Sequence, residues 1–242
     1  MPTRNPIFVA GASGAIGRRL CRLLVADGWR VIGTTRSGQK TALLLALGVE
    51  PAVVDVFDEP LLRELVIAAQ PEVVIHQLTD LPAGLDPAKM AAARERNARL
   101  REIGTRNLVA AAVASGVKRM IAQSVAFAYA PGPMPYREEA PLNVAAADEA
   151  GGLSARAVAG LERQVLTGPF AGVVLRYGQL YGPGTGFQAA PNAGPVHVDA
   201  AADGARRAIA RGAGIYNLAE EDGTVSSRKA IEELGWDPDF RF

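Results

Sequence analysis

The sequence predicts an α/β fold, a parallel sheet doubly wound with helices on both faces, on three observations. Residues 7–17 run Ile-Phe-Val-Ala-Gly-Ala-Ser-Gly-Ala-Ile-Gly, an apolar strand leading straight into glycines at 11, 14 and 17. Strand-length apolar runs then alternate with helix-period segments as far as residue 125. Residues 73–78 form a continuous apolar run broken only by polar His76, Gln77, which suits a strand buried on both faces.

The elements follow in order. After the glycine turn, Ile16, Leu20, Leu23 and Leu24 repeat at helical spacing, with Gly28 where a C-cap falls. Residues 31–35 read as a second strand and 39–47 as a helix closed by Gly48. A third strand covers 51–55, and a helix 61–70 stops before Pro71. The fourth strand is 73–78, a long helical stretch covers 88–115 up to Gly116, and 119–125 is the fifth strand. Four prolines make 131–151 a long loop. A helix at 153–167, a strand at 173–177 and a Gly/Pro-rich stretch at 182–195 precede a small α/β remainder. That remainder ends in a helix over 228–234, capped by Ser226 or Ser227 and closed by Gly235, with Trp236 as a packing anchor.

Length and charge bound the function. The 242 residues suit one domain, and 49% hydrophobic residues supply its core. The 26 basic and 25 acidic side chains nearly cancel, with no dense basic run, which disfavours nucleic acid or a membrane surface as partner. No apolar run reaches the roughly 20 residues that span a bilayer. Cys21 is the single cysteine, so no intramolecular disulfide forms and a reducing compartment is expected. The early first strand leaves no room for a signal peptide, and the expected location is cytoplasmic.

A strand–glycine turn–helix unit binds a dinucleotide. Glycine lets the backbone approach a pyrophosphate, and the helix start offers N–H groups and a positive dipole end. Arg18 and Arg19 stand where a P-loop needs Lys then Ser or Thr. The predicted cofactor residues are Gly11, Ser13, Gly14, Ala15, Ile16 and Gly17, then Arg36, Asp55 and Val56, then Gln77, Leu78 and Thr79, and finally Tyr177 and Gly178. The second strand ends Gly33-Thr34-Thr35-Arg36. No carboxylate repels a 2′-phosphate there and an arginine is placed to pair with it, which favours NADP over NAD. Asp55 suits either the adenine amino group or a helix N-cap. No His/Cys cluster has metal-ligand spacing.

Several motifs together resemble the extended short-chain dehydrogenase/reductases, the NAD(P)-dependent epimerase/dehydratase family. They are the Gly11–Gly17 turn, Asp55-Val56, Val74-Ile75-His76, Gly104-Thr105-Arg106-Asn107-Leu108 and Gln123-Ser124. Leu175-Arg176-Tyr177-Gly178, Tyr181-Gly182-Pro183-Gly184 and Val196-His197-Val198-Asp199 complete the set, with Leu-Gly-Trp-Asp-Pro near the end. The resemblance implies one Rossmann-type NAD(P)-binding domain over 1–242, with a reduced substrate-side portion mainly in 179–242. It also implies hydride chemistry by a Ser or Thr after the fifth strand and a Tyr-x-x-x-Lys on the next helix. Ser124 matches the serine. The tyrosine and lysine are missing: no tyrosine lies between Tyr136 and Tyr177, and no lysine between Lys118 and Lys229. With Glu162 as landmark, the pair falls on Gly152 and Arg156. Glycine has no proton to give, and arginine stays protonated while still able to hold ribose hydroxyls.

Tyr129 is the candidate substitute acid, against a packing role; Tyr136 is another. His197 and His76 read as structural. Only twelve residues, 185–196, separate Gly184 from His197, too few polar groups to grip a nucleotide sugar. The expected function is an NADP-dependent oxidoreductase on a small carbonyl or alcohol. A catalytically silent NADP(H)-binding or sensor protein and a nucleotide-sugar epimerase or dehydratase are the alternatives. The resemblance further implies a homodimer through the helices at 88–115 and 153–167, where Leu153, Val158, Leu161 and Val165 lie among alanines.

Overall fold

The computed structural model describes residues 6–242. Its first strand, β1 (Ile7–Ala10), passes through the glycine turn into α1 (Ala15–Ala26). Then come β2 (Val31–Thr35), α2 (Thr41–Ala46), β3 (Glu50–Val53) and α3 (Glu59–Ala69). The second half of the winding is β4 (Val73–His76), α4 (Pro87–Arg99), α5 (Thr105–Ala114) and β5 (Arg119–Val125). Next are α6 (Glu149–Leu166) and β6 (Ala171–Tyr177), and a two-stranded ribbon pairs β7 (Gln179–Tyr181) with β8 (Pro195–His197). Helix α7 (Val198–Arg207) and β9 (Gly214–Leu218) complete the sheet.

Seven strands pair in the order β3-β2-β1-β4-β5-β6-β9, every pair parallel. The order reverses between β1 and β4, and that switch point opens a crevice beyond the strands' C-terminal ends. Alternation along β1 divides the core. Ile7 and Val9 join Leu20 and Leu24 of α1 and the alanines of α7, while Phe8 and Ala10 join Val66, Leu108 and Leu161 of α3, α5 and α6.

Two boundaries moved for identifiable reasons. Asp58, and not Asp55, caps α3, its carboxylate accepting from Leu61 N–H, so that helix starts at Glu59. Asp55 instead accepts from Phe57 N–H in a local turn. The stretch expected as one helix is α4 and α5 joined by a wider π-type turn over Leu100–Gly104, which absorbs the extra residue.

The last helical turn ends at Gly235, φ +67°, as expected. Trp236 is buried and donates to Ala200 O at 2.8 Å, fixing that turn against α7. Cys21 is buried, its thiol pushed up to about 12 by desolvation, and is unreactive. No helix of the described residues is long and apolar enough to cross a membrane.

Candidate active site

A cleft of about 1010 Å³ lies over the switch point. Its floor is the glycine turn. Gly11 has φ +89°, and a Cβ there would sit 2.6 Å from Gln77 O at the end of β4. Gly17 lies under the turn and outside the cleft, where a Cβ would meet Gly11 O at 2.2 Å, so α1 can pack this close only with glycine there. Helix α1 begins with no side-chain cap and no acidic residue in its first turn. That cradle, at the positive end of a helix, fits the pyrophosphate of a dinucleotide.

Except for Gly17, every residue expected to bind the cofactor lines this one cleft: Gly11, Ser13, Gly14, Ala15, Ile16, Arg36, Asp55, Val56, Gln77, Leu78, Thr79, Tyr177 and Gly178. Gln77 Nε2 donates to Tyr177 OH at 3.2 Å deep in the cleft, and Gln77 Oε1 is buried without a partner. Burial holds the Tyr177 phenol well above its ordinary range. At the β2 end, Ser37 and Lys40 line the cleft beside Arg36. These two were not singled out in the sequence, although both follow Arg36 within four residues.

Arg36 is not simply solvated. Its Nη2 lies 3.2 Å from Asp80 Oδ1, and Arg96 Nε lies 3.2 Å from the other oxygen of the same carboxylate. The Asp80 backbone N–H is tied to Asn97 Oδ1 at 2.9 Å.

The expected catalytic residues separate. Ser124 lines the cleft, but its hydroxyl donates to Glu162 Oε1 at 2.6 Å. Glu162 is in turn held by Arg176 through Nε at 2.8 Å and Nη2 at 2.7 Å, a bidentate pair in which both side chains are buried. The Ser124 proton is thereby committed, and its oxygen can meet a ligand only as acceptor. Tyr129 does not line the cleft: its OH donates to Asn217 Oδ1 at 2.6 Å and accepts from Arg176 Nη1 at 2.9 Å, with its ring stacked on Tyr136. Burial raises its pKa. It is the packing residue of the β5 exit loop.

Arg156 also lies outside the cleft and donates to Val144 O at 3.1 Å. Helical geometry explains why. Glu162 faces Ser124, and residues four and eight earlier share that face: Val158, fully buried, and Ser154, which lines the cleft. Gly152 and Arg156 stand two residues off that stripe. Of that stripe Ser154 lines the cleft and Val158 is buried, so neither position brings a phenol or ammonium to it. The face shared with Glu162 was the signal in the sequence that would have found Ser154.

Arg101, also missed, lines the same wall, and its Nη1 donates to Ser154 Oγ at 3.1 Å. Desolvation lowers it to about 10, so it stays charged at neutral pH. His76 is the core histidine expected. Its Nδ1 accepts from Leu78 N–H, Nε2 meets Thr105 Oγ1 at 3.0 Å, and burial with the Arg101 charge lowers it to about 4. His197 caps α7 outside the cleft, its Nδ1 accepting from Asp199 N–H. No group of three or more His, Cys, Asp or Glu among the described residues is placed to hold a metal ion.

The glycine cradle, the β1/β4 crevice and the bidentate pair behind β5 converge with one more observation: the model of the NAD dependent epimerase/dehydratase family matches residues 7–212. The chain belongs to that family. Among epimerase-type structures, UDP-glucose 4-epimerase of Thermotoga maritima with UDP-glucose aligns over 98% of this chain and 94% of its own, with TM-score 0.78 and 18% identity. The Thermus thermophilus UDP-glucose 4-epimerase complex with NAD aligns over 98% and 95%, with TM-score 0.77 and 18% identity. At these identities they establish the fold. A 3-diazoavenalumate denitrifying reductase of Streptomyces is 46% identical over 182 residues, 75% of this chain. The match spans 58% of that relative's length.

Proposed function

We propose that this protein is an NADP(H)-dependent reductase whose hydride acceptor needs no proton from the enzyme. The observation that carries the reading is a cleft with a dinucleotide cradle but neither phenol nor ammonium among its α6 lining residues, Ser154 and Leu161. When bound, the nicotinamide supplies a hydride. Reduction of a carbonyl leaves an alkoxide that must be protonated, and loss of a placed acid typically costs about 10²–10⁴ in rate.

An acceptor that is already cationic escapes this requirement. Addition of hydride to the terminal nitrogen of an aryl diazonium forms an N–H bond with two electrons. Loss of dinitrogen then breaks the C–N bond and leaves the hydrogen on carbon, with no net proton drawn from the protein. The name of the Streptomyces relative, a denitrifying reductase of a diazo carboxylate, supports this class of acceptor. This chain's residues supply binding and shape: the Gly11–Gly17 cradle for the pyrophosphate, Arg36, Ser37 and Lys40 for a 2′-phosphate, Gln77 and Tyr177 on the wall. The NADP preference rests on that cationic end; a homodimer through α4 and α6 would have to use surface other than Val158, Leu161 and Val165, which are buried within the chain itself.

The test is NADPH oxidation against aryl diazonium salts, aldehydes and ketones, corrected for the uncatalysed rate, beside an NADPH binding titration. Turnover of the diazonium with little of the carbonyls is expected. Tight binding without turnover of anything would make the protein a silent NADP(H) binder, and no affinity for NADPH would overturn the reading entirely.

A further inference from the structure

Arg101 is half-buried on the cleft wall and, among the described residues, no carboxylate pairs with it; its hydrogen bond goes to the neutral Ser154 hydroxyl. A guanidinium buried without an anion is costly. Its charge, after burial, disfavours protonation of His76 on the neighbouring strand. Arg176, the arginine most deeply buried among the described residues, is treated differently: it is clamped bidentately by Glu162.

The position of Arg101 argues for a substrate rather than the cofactor phosphates. Those phosphates have the α1 cradle and the Arg36–Lys40 end, both on β1 and β2, whereas Arg101 sits in the π-type turn between α4 and α5, bonded to Ser154 of α6. Around the same cleft, Leu81, Leu85, Met90, Phe127, Leu180 and Phe187 give an apolar lining. Leu81, Phe127 and Phe187 remain exposed there. A half-buried cation without a carboxylate partner, set beside apolar lining, recognises an apolar molecule that ends in one anionic group.

We propose that Arg101, with the Ser154 hydroxyl beside it, docks a carboxylate borne by an otherwise apolar substrate. The planar fork of a guanidinium matches a carboxylate bidentately, and Ser154 donates the third hydrogen bond once its oxygen is held by Arg101. The proposal rests on the cleft being the reductase site described above, and it adds the substrate's anchoring group.

The test titrates 4-hydroxycinnamate and its neutral amide into the protein, with and without NADP+, for the wild type and the Arg101→Gln, Arg101→Lys and Ser154→Ala variants. The wild type is expected to bind the acid at least tenfold more tightly than the amide. Arg101→Gln removes that preference, Arg101→Lys keeps part of it, and Ser154→Ala weakens acid binding by a few fold. NADPH affinity of Arg101→Gln stays within about threefold of wild type, which shows that the variant is folded. Equal binding of acid and amide by the wild type overturns the proposal. So does an Arg101→Gln variant that keeps the preference, or one that loses NADPH affinity while acid binding is unchanged. A wild type that binds the acid selectively but never NADPH supports the anchor and sinks the reductase reading, so the two failures are distinguishable.

Discussion

The Ser124 hydroxyl lies 2.6 Å from Glu162 Oε1, and the same oxygen accepts from Arg176 Nε at 2.8 Å. A buried residue of the cleft lining is thereby wired to a buried ion pair that ties α6 to β6. Ser124→Ala removes one hydrogen bond but leaves Glu162 paired. The expected cost is about 1–2 kcal/mol of stability, with kcat changed less than about tenfold. Glu162→Gln strands the Arg176 charge and costs about 3–5 kcal/mol. Urea unfolding beside steady-state kinetics checks both. A loss of 10² or more in kcat for Ser124→Ala at unchanged stability would return that hydroxyl to the chemistry.

Asp80, whose carboxylate Arg36 and Arg96 share, would compete with the 2′-phosphate of a bound NADP for Arg36. Arg36→Glu is expected to weaken NADPH binding by about tenfold or more and NADH binding by less than about threefold. Asp80→Asn works in the other direction, tightening NADPH severalfold by releasing Arg36. Fluorescence titration with both cofactors reads the difference, and equal losses for both in Arg36→Glu would remove Arg36 from the site.

His76 makes stability fall with acid. Its folded value is about 4 against an ordinary 6.5, because burial and the Arg101 charge oppose protonation. The Nδ1 that would take the proton already accepts from Leu78 N–H. Between these two values the unfolded chain binds more protons than the folded one. The contribution is therefore complete above about pH 6.5 and is lost as pH drops toward 4, at up to about 1.4 kcal/mol per pH unit. Unfolding curves at pH 7 and 4.5 should show that loss in the wild type and a smaller one in His76→Asn. Parallel pH slopes in the two proteins would sink the idea.

The sequence by itself determined the winding and the cradle. Strand-length apolar runs and helix-period hydrophobicity act locally, and β1, β2, β5 and α1 stand where they predict. The glycine spacing worked for the same reason. Gly11 and Gly17 are required by backbone clashes, which depend on residue type and hardly at all on distant contacts.

Tertiary structure decided which side chains meet at the catalytic wall. Ser124 and Glu162 are 38 residues apart and Arg101 and Ser154 are 53 apart. The phase of α6 against β5, which makes Ser154 rather than Gly152 face the cleft, is set when Leu161 and Val165 bury against the sheet. A helix has no intrinsic zero of rotation, so its facing residue becomes fixed only through packing. The π-type turn that aims Arg101 inward, and the Asp80 carboxylate that holds Arg36, belong to that same class of long-range geometry.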